Sequence, residues 1–185
     1  MPTSENLPDG KANKPGDLVK ACNGLTIEVL NTDAEGRLIL ADALAYAAKK
    51  IKPDAMIDIA TLTGAVVVAL GHEVSAVMGS DQRLIDELVA SGETTGEGVW
   101  PMPILEFHKK DMQGKVGDLR NMSSPRSGAG SSMGGAFLSN FVGVIPWAHL
   151  DIAGSAWGAT DRDYQGSAGG TGVGVRLFID YLQKQ

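Results

Sequence analysis

Two acidic residues and a base alternate just ahead of a helical pattern in the stretch VLNTDAEGRLILADAL (29–44). If residues 31–37 are extended, the side chains of Asp33, Glu35 and Arg37 point to one side, because alternate residues share a face of extended backbone. Two such carboxylates could hold Mg²⁺ or Mn²⁺, and Zn²⁺ also accepts carboxylates. In the alternative interpretation, Asp33 caps the helix, Glu35 lies in its first turn and Arg37 is solvated. Spacing alone favours this alternative, because helix caps are more common than metal sites.

The elements that must position these residues alternate between strand and helix. LTIEVL (25–30) is rich in β-branched residues and predicts a strand. Apolar residues at helical spacing then predict a helix from Glu35 to Lys50, which Pro53 ends. AMIDIATL (55–62) predicts a buried strand, and GAVVVALG (64–71) favours a helix without excluding a strand.

The rest of the chain continues this alternation. The predicted elements are a strand at 74–80, a helix at 81–93 with Asp81 as N-cap, a short helix near 103–112 within a long connection, a buried helix containing Met133, Phe137, Leu138 and Phe141, a strand at 147–154, a flexible loop at 159–172 and a closing helix at 173–185. This order predicts the α/β class, with a mixed, mostly parallel sheet flanked by helices.

Length, charge and hydropathy restrict the classes of protein. A chain of 185 residues with 43% hydrophobic content can bury one sizeable core, so we expect one domain over 1–185. A formal net charge of -6 argues against a general nucleic-acid surface. The sequence contains no run of about 18 apolar residues, so it predicts no membrane span. Its single cysteine, Cys22, is typical of a protein in a reducing compartment. We therefore expect no nucleic-acid partner, no membrane association and a cytoplasmic location.

The histidines and the cysteine do not match familiar catalytic motifs. His72, His108 and His149 lack the H-E-x-x-H spacing of zinc peptidases, so we interpret each as a surface or hydrogen-bonded residue. No local nucleophile signature surrounds Cys22. Neither residue type is therefore a candidate for catalysis.

Two aspartates interrupt apolar strands. Asp58 lies within AMIDIATL and Asp151 within AHLDIAG. A carboxylate in such a run needs hydrogen-bond partners. We interpret both as structural acceptors for a loop or helix end, and keep open that Asp151 lies near a site at the end of its strand.

The stretch NTDAEGRL resembles the signature of the leucyl aminopeptidase family, two-metal peptidases that remove N-terminal residues. The blocks KPGD, DIATLTGA, FLSNFVG, PWAHLDIAG and TGVGVRLF also occur in the order found in that family. The resemblance covers essentially the whole chain. It implies an α/β catalytic domain of the aminopeptidase type.

The resemblance implies roles for particular residues. Asp33 and Glu35 match two carboxylate ligands of a two-ion site, with the glutamate bridging both ions. Arg37 matches the family's catalytic arginine, thought to hold a bicarbonate that shuttles a proton from the attacking water. A guanidinium stays cationic and can bind such a planar anion through two hydrogen bonds. Three positions of TLTG match residues that line the family's substrate site: Thr61, Leu62 and Gly64.

The chain lacks part of the family's pattern. The family's site also uses a lysine, two aspartates and a second catalytic lysine from upstream blocks, GKG(I/L)TFDSGG and MKxDM, which are absent from this sequence. HKKDMQGK (108–115) lies downstream of the signature, so no ligand role passes to Lys110 or Asp111. Residues 1–185 thus resemble the C-terminal part of the catalytic domain. With three of five ligands missing, we expect the isolated chain to bind at most one hydrated Mg²⁺ or Mn²⁺ weakly.

The resemblance predicts a metal-dependent aminopeptidase that releases leucine-like N-terminal residues from peptides, as a fragment that needs the missing part of its site. Its cofactors would be two divalent ions, Mn²⁺ or Zn²⁺ with Mg²⁺ as a third candidate, together with bicarbonate. Its partners would be peptide substrates and either a homo-oligomer, a hexamer in the family, or the missing N-terminal portion. Two alternatives remain open: a non-catalytic assembly fragment, and a metal- or peptide-binding module without turnover.

Overall fold

The computed structural model describes residues 1–158 and 169–185. It divides into two compact units, each built from two stretches of chain. Unit 1 comprises Met1–Met56 and Ile104–Ile145, and unit 2 comprises Ile57–Pro103 and Pro146–Gln185. Most of the loop predicted at 159–172 lies outside the described residues.

Seven strands and six α-helices occur in the described residues. The strands are β1 (Leu18–Lys20), β2 (Thr26–Glu28), β3 (Met56–Ala60), β4 (Ser75–Gly79), β5 (Val99–Pro101), β6 (Leu119–Arg120) and β7 (Trp147–Asp151). The helices are α1 (Glu35–Tyr46), α2 (Gly64–Leu70), α3 (Gln82–Thr95), α4 (Glu106–Asp111), α5 (Gly130–Leu138) and α6 (Val175–Gln183). Single turns of 3₁₀-helix at Thr32–Ala34 and Ser139–Phe141 precede α1 and follow α5, and a π-helical turn at Ala47–Ile51 extends α1.

Unit 1 contains a three-stranded sheet in the order β1-β2-β6. β1 is antiparallel to β2, and β2 is parallel to β6, with Ile27 opposite Leu119. Helix α1 packs against α5, whose residues from Ser131 to Leu138 are all buried. The buried helix predicted from Met133 and its apolar neighbours is therefore confirmed.

Unit 2 contains a four-stranded sheet in the order β3-β7-β4-β5, with Met56 of β3 assigned to the other unit. β4 is antiparallel to β7 and parallel to β5. Helices α3 and α6 pack against each other, and α3 also contacts β4, β5 and β7. The buried apolar cluster of this unit consists of Val77, Leu84, Ile85, Leu88, Val99, Ala148, Leu150, Leu177 and Tyr181. Burial of these side chains is the main favourable contribution to the stability of unit 2.

The structure confirms the α/β class with mixed sheets flanked by helices. Every strand and helix predicted from periodicity is present, including the N-cap of α3, where the Asp81 side chain accepts a hydrogen bond from the Leu84 amide at 2.8 Å. Three strands were not predicted: β1, β5 and β6. Each has only two or three residues, which is too short for a period of two to be recognised. In the part of the chain that the structure describes, no helix has the length and hydropathy needed to cross a membrane.

Asp58 is a structural hydrogen-bond acceptor, as expected, but its partners lie on a strand and not in a loop or at a helix end. From β3 it accepts a hydrogen bond from Trp147 Nε1 at 2.7 Å and pairs with His149 Nδ1 at 2.6 Å, both on β7. His149 is fully buried. Asp58 therefore satisfies the Trp147 indole N–H and one ring nitrogen of His149 inside unit 2.

Candidate functional site

The segment that follows β2 forms a 3₁₀ turn directly ahead of α1, which begins at Glu35 as predicted. Asn31 is the last extended residue (φ -143°, ψ 125°), and Thr32–Ala34 form a 3₁₀ turn that leads into α1. The hypothesis in which residues 31–37 are extended, with their acidic and basic side chains on one face, is therefore wrong. The physical reason is the Asn31 side chain, which accepts a hydrogen bond from the Asp33 amide at 3.0 Å and so starts a helical turn.

The alternative interpretation, in which this stretch begins a helix, is right for Glu35 only. Asp33 does not cap the helix, because Asn31 provides the cap and Asp33 lies inside the first turn. Glu35 lies in the first turn of α1, as that interpretation predicted. Acidic side chains are favoured here by the partial positive charge of a helix N-terminus.

The two carboxylates have no protein partner among the described residues. Asp33 is exposed and Glu35 half-buried, and neither side chain forms a hydrogen bond or an ion pair there. Glu35 lines a cavity of about 250 Å³ in unit 1, together with Thr32, Leu38, Glu5 and Lys11. The carboxylate oxygens of Asp33 and Glu35 are thus available to an external ligand. Over residues 1–158 and 169–185, no three acidic, histidine or cysteine side chains are grouped so that they could share a metal ion.

Arg37 is buried rather than solvated, which corrects the expectation for this residue. It is only 7% exposed, and its Nη1 atom donates a hydrogen bond to the main-chain oxygen of Asn121 at 2.8 Å. Asn121 directly follows β6 and is fully buried. The guanidinium is therefore held in a defined orientation inside unit 1.

The segment that follows β3 is held by Asp151 at the end of β7. Asp151 is fully buried; its Oδ1 accepts from the Leu62 amide at 3.1 Å, and its Oδ2 accepts from Thr63 Oγ1 at 2.6 Å. Thr63 Oγ1 in turn accepts from the Val66 amide at 3.3 Å, which caps α2. The interpretation of Asp151 as an acceptor for a loop and helix terminus is therefore confirmed. Thr61 and Gly64, which flank Leu62 and Thr63 in this turn, are exposed.

Both units contain a buried polar side chain that lies at the end of one strand and binds the segment after the adjacent strand. In unit 1, buried Asn121 holds the segment after β2 from the end of the adjacent strand β6; in unit 2, buried Asp151 holds the segment after β3 from the end of the adjacent strand β7. The sequence indicated Asp151, because a carboxylate interrupts an apolar run. Asn121 was missed, because it follows a two-residue strand in a region without apolar periodicity.

The remaining polar candidates have structural partners. His72 Nδ1 lies 2.9 Å from the Gly154 oxygen, and His108 Nδ1 accepts from the Leu105 amide at 3.1 Å, so both are hydrogen-bonded as predicted. In HKKDMQGK, Asp111 accepts from Arg120 Nη2 at 2.6 Å. This pairing gives Asp111 a local role in unit 1.

The fold is that of an α/β protein, and the turn that leads into α1 carries two carboxylates without partners among the described residues. The family model for the cytosol aminopeptidase family, catalytic domain, matches residues 1–179. The chain is 56% identical over 185 residues to a probable cytosol aminopeptidase of Geobacter sp. (strain M21), and 51% identical over 183 residues to one of Geobacter sulfurreducens. It is also 51% identical over 181 residues to one of Neisseria meningitidis serogroup A. The chain therefore belongs to the cytosol aminopeptidase family.

The matches also define how much of such a protein is present. They cover 100%, 99% and 98% of this chain but 37%, 36% and 37% of the three relatives, in the same order. The chain thus spans a little over a third of the length of the relatives it matches.

Proposed function

We propose that this chain supplies part of the active site of a metal-dependent aminopeptidase that releases leucine-like N-terminal residues from peptides. The observation that carries the proposal is that the Asp33 and Glu35 carboxylates lie without partners among the described residues, in a turn that also leads to buried Arg37. Membership of the cytosol aminopeptidase family supports the same activity. We propose the whole chain, 1–185, as one part of that catalytic domain.

The donor set fits one side of a divalent-cation site. Carboxylate oxygens suit Mn²⁺, Mg²⁺ and Zn²⁺. Because no group of three ligands occurs in the described residues, the remaining ligands must come from elsewhere, and the upstream part of the catalytic domain is the source we propose. When two such ions are bound, they polarise a peptide carbonyl and lower the pKa of a water molecule.

Each residue of the chain has a defined part in this proposal. Asp33 and Glu35 would hold the ions and offset their positive charge. Arg37 orients bicarbonate beside the substrate, and its bond to Asn121 limits the directions in which the guanidinium can point. Thr61, Leu62 and Gly64 line the substrate site, and Asp151 fixes that turn by accepting a hydrogen bond from the Leu62 amide.

Family membership and the incomplete donor set together support the partners that we propose. Peptides are the substrates, and the missing N-terminal portion is the partner that completes the site. We also propose a cytoplasmic location and a hexameric assembly of the complete protein. The solution mass of the chain, alone and with the upstream portion, tests whether this part retains the assembly contacts.

The test is a complementation assay. The purified chain is assayed on leucine amide with Mn²⁺ or Zn²⁺, alone and mixed with the upstream portion of the Geobacter sp. (strain M21) relative. We expect turnover only in the mixture, and a loss of at least about 100-fold for Asp33→Asn or Glu35→Gln, because ligand loss costs more than loss of an outer-shell partner. Asp54→Asn, which changes another exposed acid of unit 1, is the matched control.

The other outcomes separate the alternatives. Mn²⁺ binding that depends on Glu35 without turnover in the mixture would indicate a binding module. Neither binding nor turnover would indicate an assembly fragment. Turnover by the chain alone, lost in Glu35→Gln, would contradict the requirement for the missing part.

A further inference from the structure

Asn121 makes hydrogen bonds through both ends of its side-chain amide. Its Oδ1 atom accepts from the Leu30 amide at 2.8 Å and from the Asn31 amide at 3.3 Å, and its Nδ2 atom donates to the Asn31 oxygen at 2.7 Å. The residue is fully buried. Only a carboxamide of this length both accepts and donates in this geometry. Aspartate would lose the donor and bring its oxygen against the Asn31 carbonyl.

The main chain of Asn121 is fixed as well. Its amide donates to the Glu28 oxygen at 2.9 Å, and its carbonyl accepts from Arg37 Nη1 at 2.8 Å. Asn121 thus contacts both the strand that leads into the carboxylate turn and the arginine beyond it.

The contacts continue to the proposed ligands through Asn31. Asn121 fixes the Asn31 backbone, and the Asn31 side chain accepts from the Asp33 amide at 3.0 Å. The turn that carries Asp33 and leads to Glu35 is therefore set at its start by the Asn121 side chain. The position of Arg37, two residues beyond Glu35, is set by the Asn121 carbonyl.

We infer that Asn121 is a positioning residue that fixes the Asp33 and Glu35 carboxylates relative to the Arg37 guanidinium. The inference rests on the proposed function, because it concerns the ligands named there. Partners that orient metal ligands typically change metal affinity or activity 10–100-fold when they are removed. Asn121 makes these contacts from a fully buried position.

The experiment compares Asn121→Asp and Asn121→Ser with the wild-type 185-residue chain. Amide hydrogen exchange is measured by NMR at Leu30, Asn31 and Asp33, and Mn²⁺ binding by paramagnetic broadening. We expect exchange at these three amides to accelerate at least about tenfold and the Mn²⁺ dissociation constant to rise about tenfold. In the complementation assay, we expect kcat to fall more than KM rises.

Two further variants separate positioning from general loss of structure. Asn140→Asp removes side-chain donations to Ala136 and Phe137 oxygens in the same unit, and should leave Mn²⁺ affinity and exchange at residues 30, 31 and 33 unchanged. Asn31→Ala, at an exposed position, removes the acceptor of the Asp33 amide while leaving the backbone bonds to Asn121. It should accelerate exchange at Asp33 and weaken Mn²⁺ binding even if the Asn121 variants do not fold.

The outcomes distinguish this inference from the proposed function. If wild type binds Mn²⁺ and the Asn121 and Asn31 variants bind it equally well, the positioning role is wrong while the proposed function stands. If an altered urea midpoint is the only change, Asn121 is merely structural and the inference is also wrong. If wild type shows neither Mn²⁺ binding nor turnover with the upstream portion, the proposed function fails and this inference fails with it.

Discussion

The Nη1 atom of Arg37 donates to the main-chain oxygen of Asn121 at 2.8 Å, and this bond joins the first turn of α1 to the residue after β6. Arg37 is one of the few charged residues buried in the described part of the chain. Its cationic group is thus part of the interior of unit 1 as well as a candidate for anion binding.

Replacing Arg37 should therefore lower stability as well as activity. Arg37→Met keeps much of the side-chain length but removes the donor to Asn121, so we expect the free energy of unfolding to fall by about 1–3 kcal/mol. Urea denaturation measures this change. Arg126→Met, at an exposed arginine of the same unit, is the control and should be close to wild type. Equal midpoints for both variants would show that the Arg37 bond contributes nothing to the fold.

Substitution of Asp151 should lower the stability of the chain more than substitution of Thr63 in the turn that Asp151 holds. Asp151→Ala leaves the Leu62 amide and the Thr63 hydroxyl without their acceptor, and each unsatisfied buried group costs about 1–3 kcal/mol. Thr63→Val removes one of these donors and the cap of α2, which costs about 1 kcal/mol. We expect Asp151→Ala to have the lower urea midpoint of the two. The opposite order would mean that the cap, and not the carboxylate, holds this segment.

Glu97 should stabilise the start of α6. This buried carboxylate accepts from the Gly174 amide at 3.1 Å and the Leu177 amide at 2.9 Å, and pairs with Arg176 at 3.3 Å. Glu97→Gln places an uncharged amide against these donors, so we expect a loss of about 1–3 kcal/mol in unfolding free energy. Exposed Glu93 offers the matched control, Glu93→Gln. Faster exchange of the Leu177 amide should accompany the loss, and unchanged exchange would argue against a capping role.

Glu28 should make the stability of unit 1 depend on pH. Hydrogen bonds from the Val116 and Gly117 amides, and then from Lys115, hold the pKa of this carboxyl below its ordinary value of 4.5. A lowered folded-state pKa means that the ionised group stabilises the fold above pH 4.5 and that this contribution is lost as the pH falls through the lower folded pKa. The stability difference between wild type and Glu28→Gln should thus be largest at neutral pH and shrink below pH 4.5.

Urea denaturation from pH 7 down to pH 3 measures that difference. Glu5→Gln removes one exposed negative charge of the same unit and serves as the control for net charge. A difference between wild type and Glu28→Gln that stays constant across this range would contradict the linkage.

The sequence predicted the elements whose pattern is long enough to show a period. Helix α3 repeats its apolar residues at helical spacing, as Leu84, Ile85 and Leu88, and its cap is a single aspartate beside it. The strand β6 has two residues, and it exists because β2 pairs with it from more than 90 residues away. Pairing of that kind leaves no local pattern to recognise.

Long-range contacts also limited what could be predicted for the candidate site. The motif identified Asp33, Glu35 and Arg37, and these assignments stay predictions. The hypothesis that places them on one extended face is wrong, because Asn31 accepts a hydrogen bond from the Asp33 amide and starts a helical turn. The burial of Arg37 depends on Asn121, which lies 84 residues away in the chain, so no spacing near Arg37 could indicate it.

Each unit is built from two separate stretches of the chain, and this affects when its contacts can form during biosynthesis. Asn31 and Asn121 are 90 residues apart, so the hydrogen bonds between them cannot form until Asn121 has left the ribosome. At about 5–20 residues per second, the wait is roughly 5 to 18 s. During that interval the nascent chain carries Leu30 and the first turn of α1 without their long-range contacts, and its apolar surface is open to chaperones.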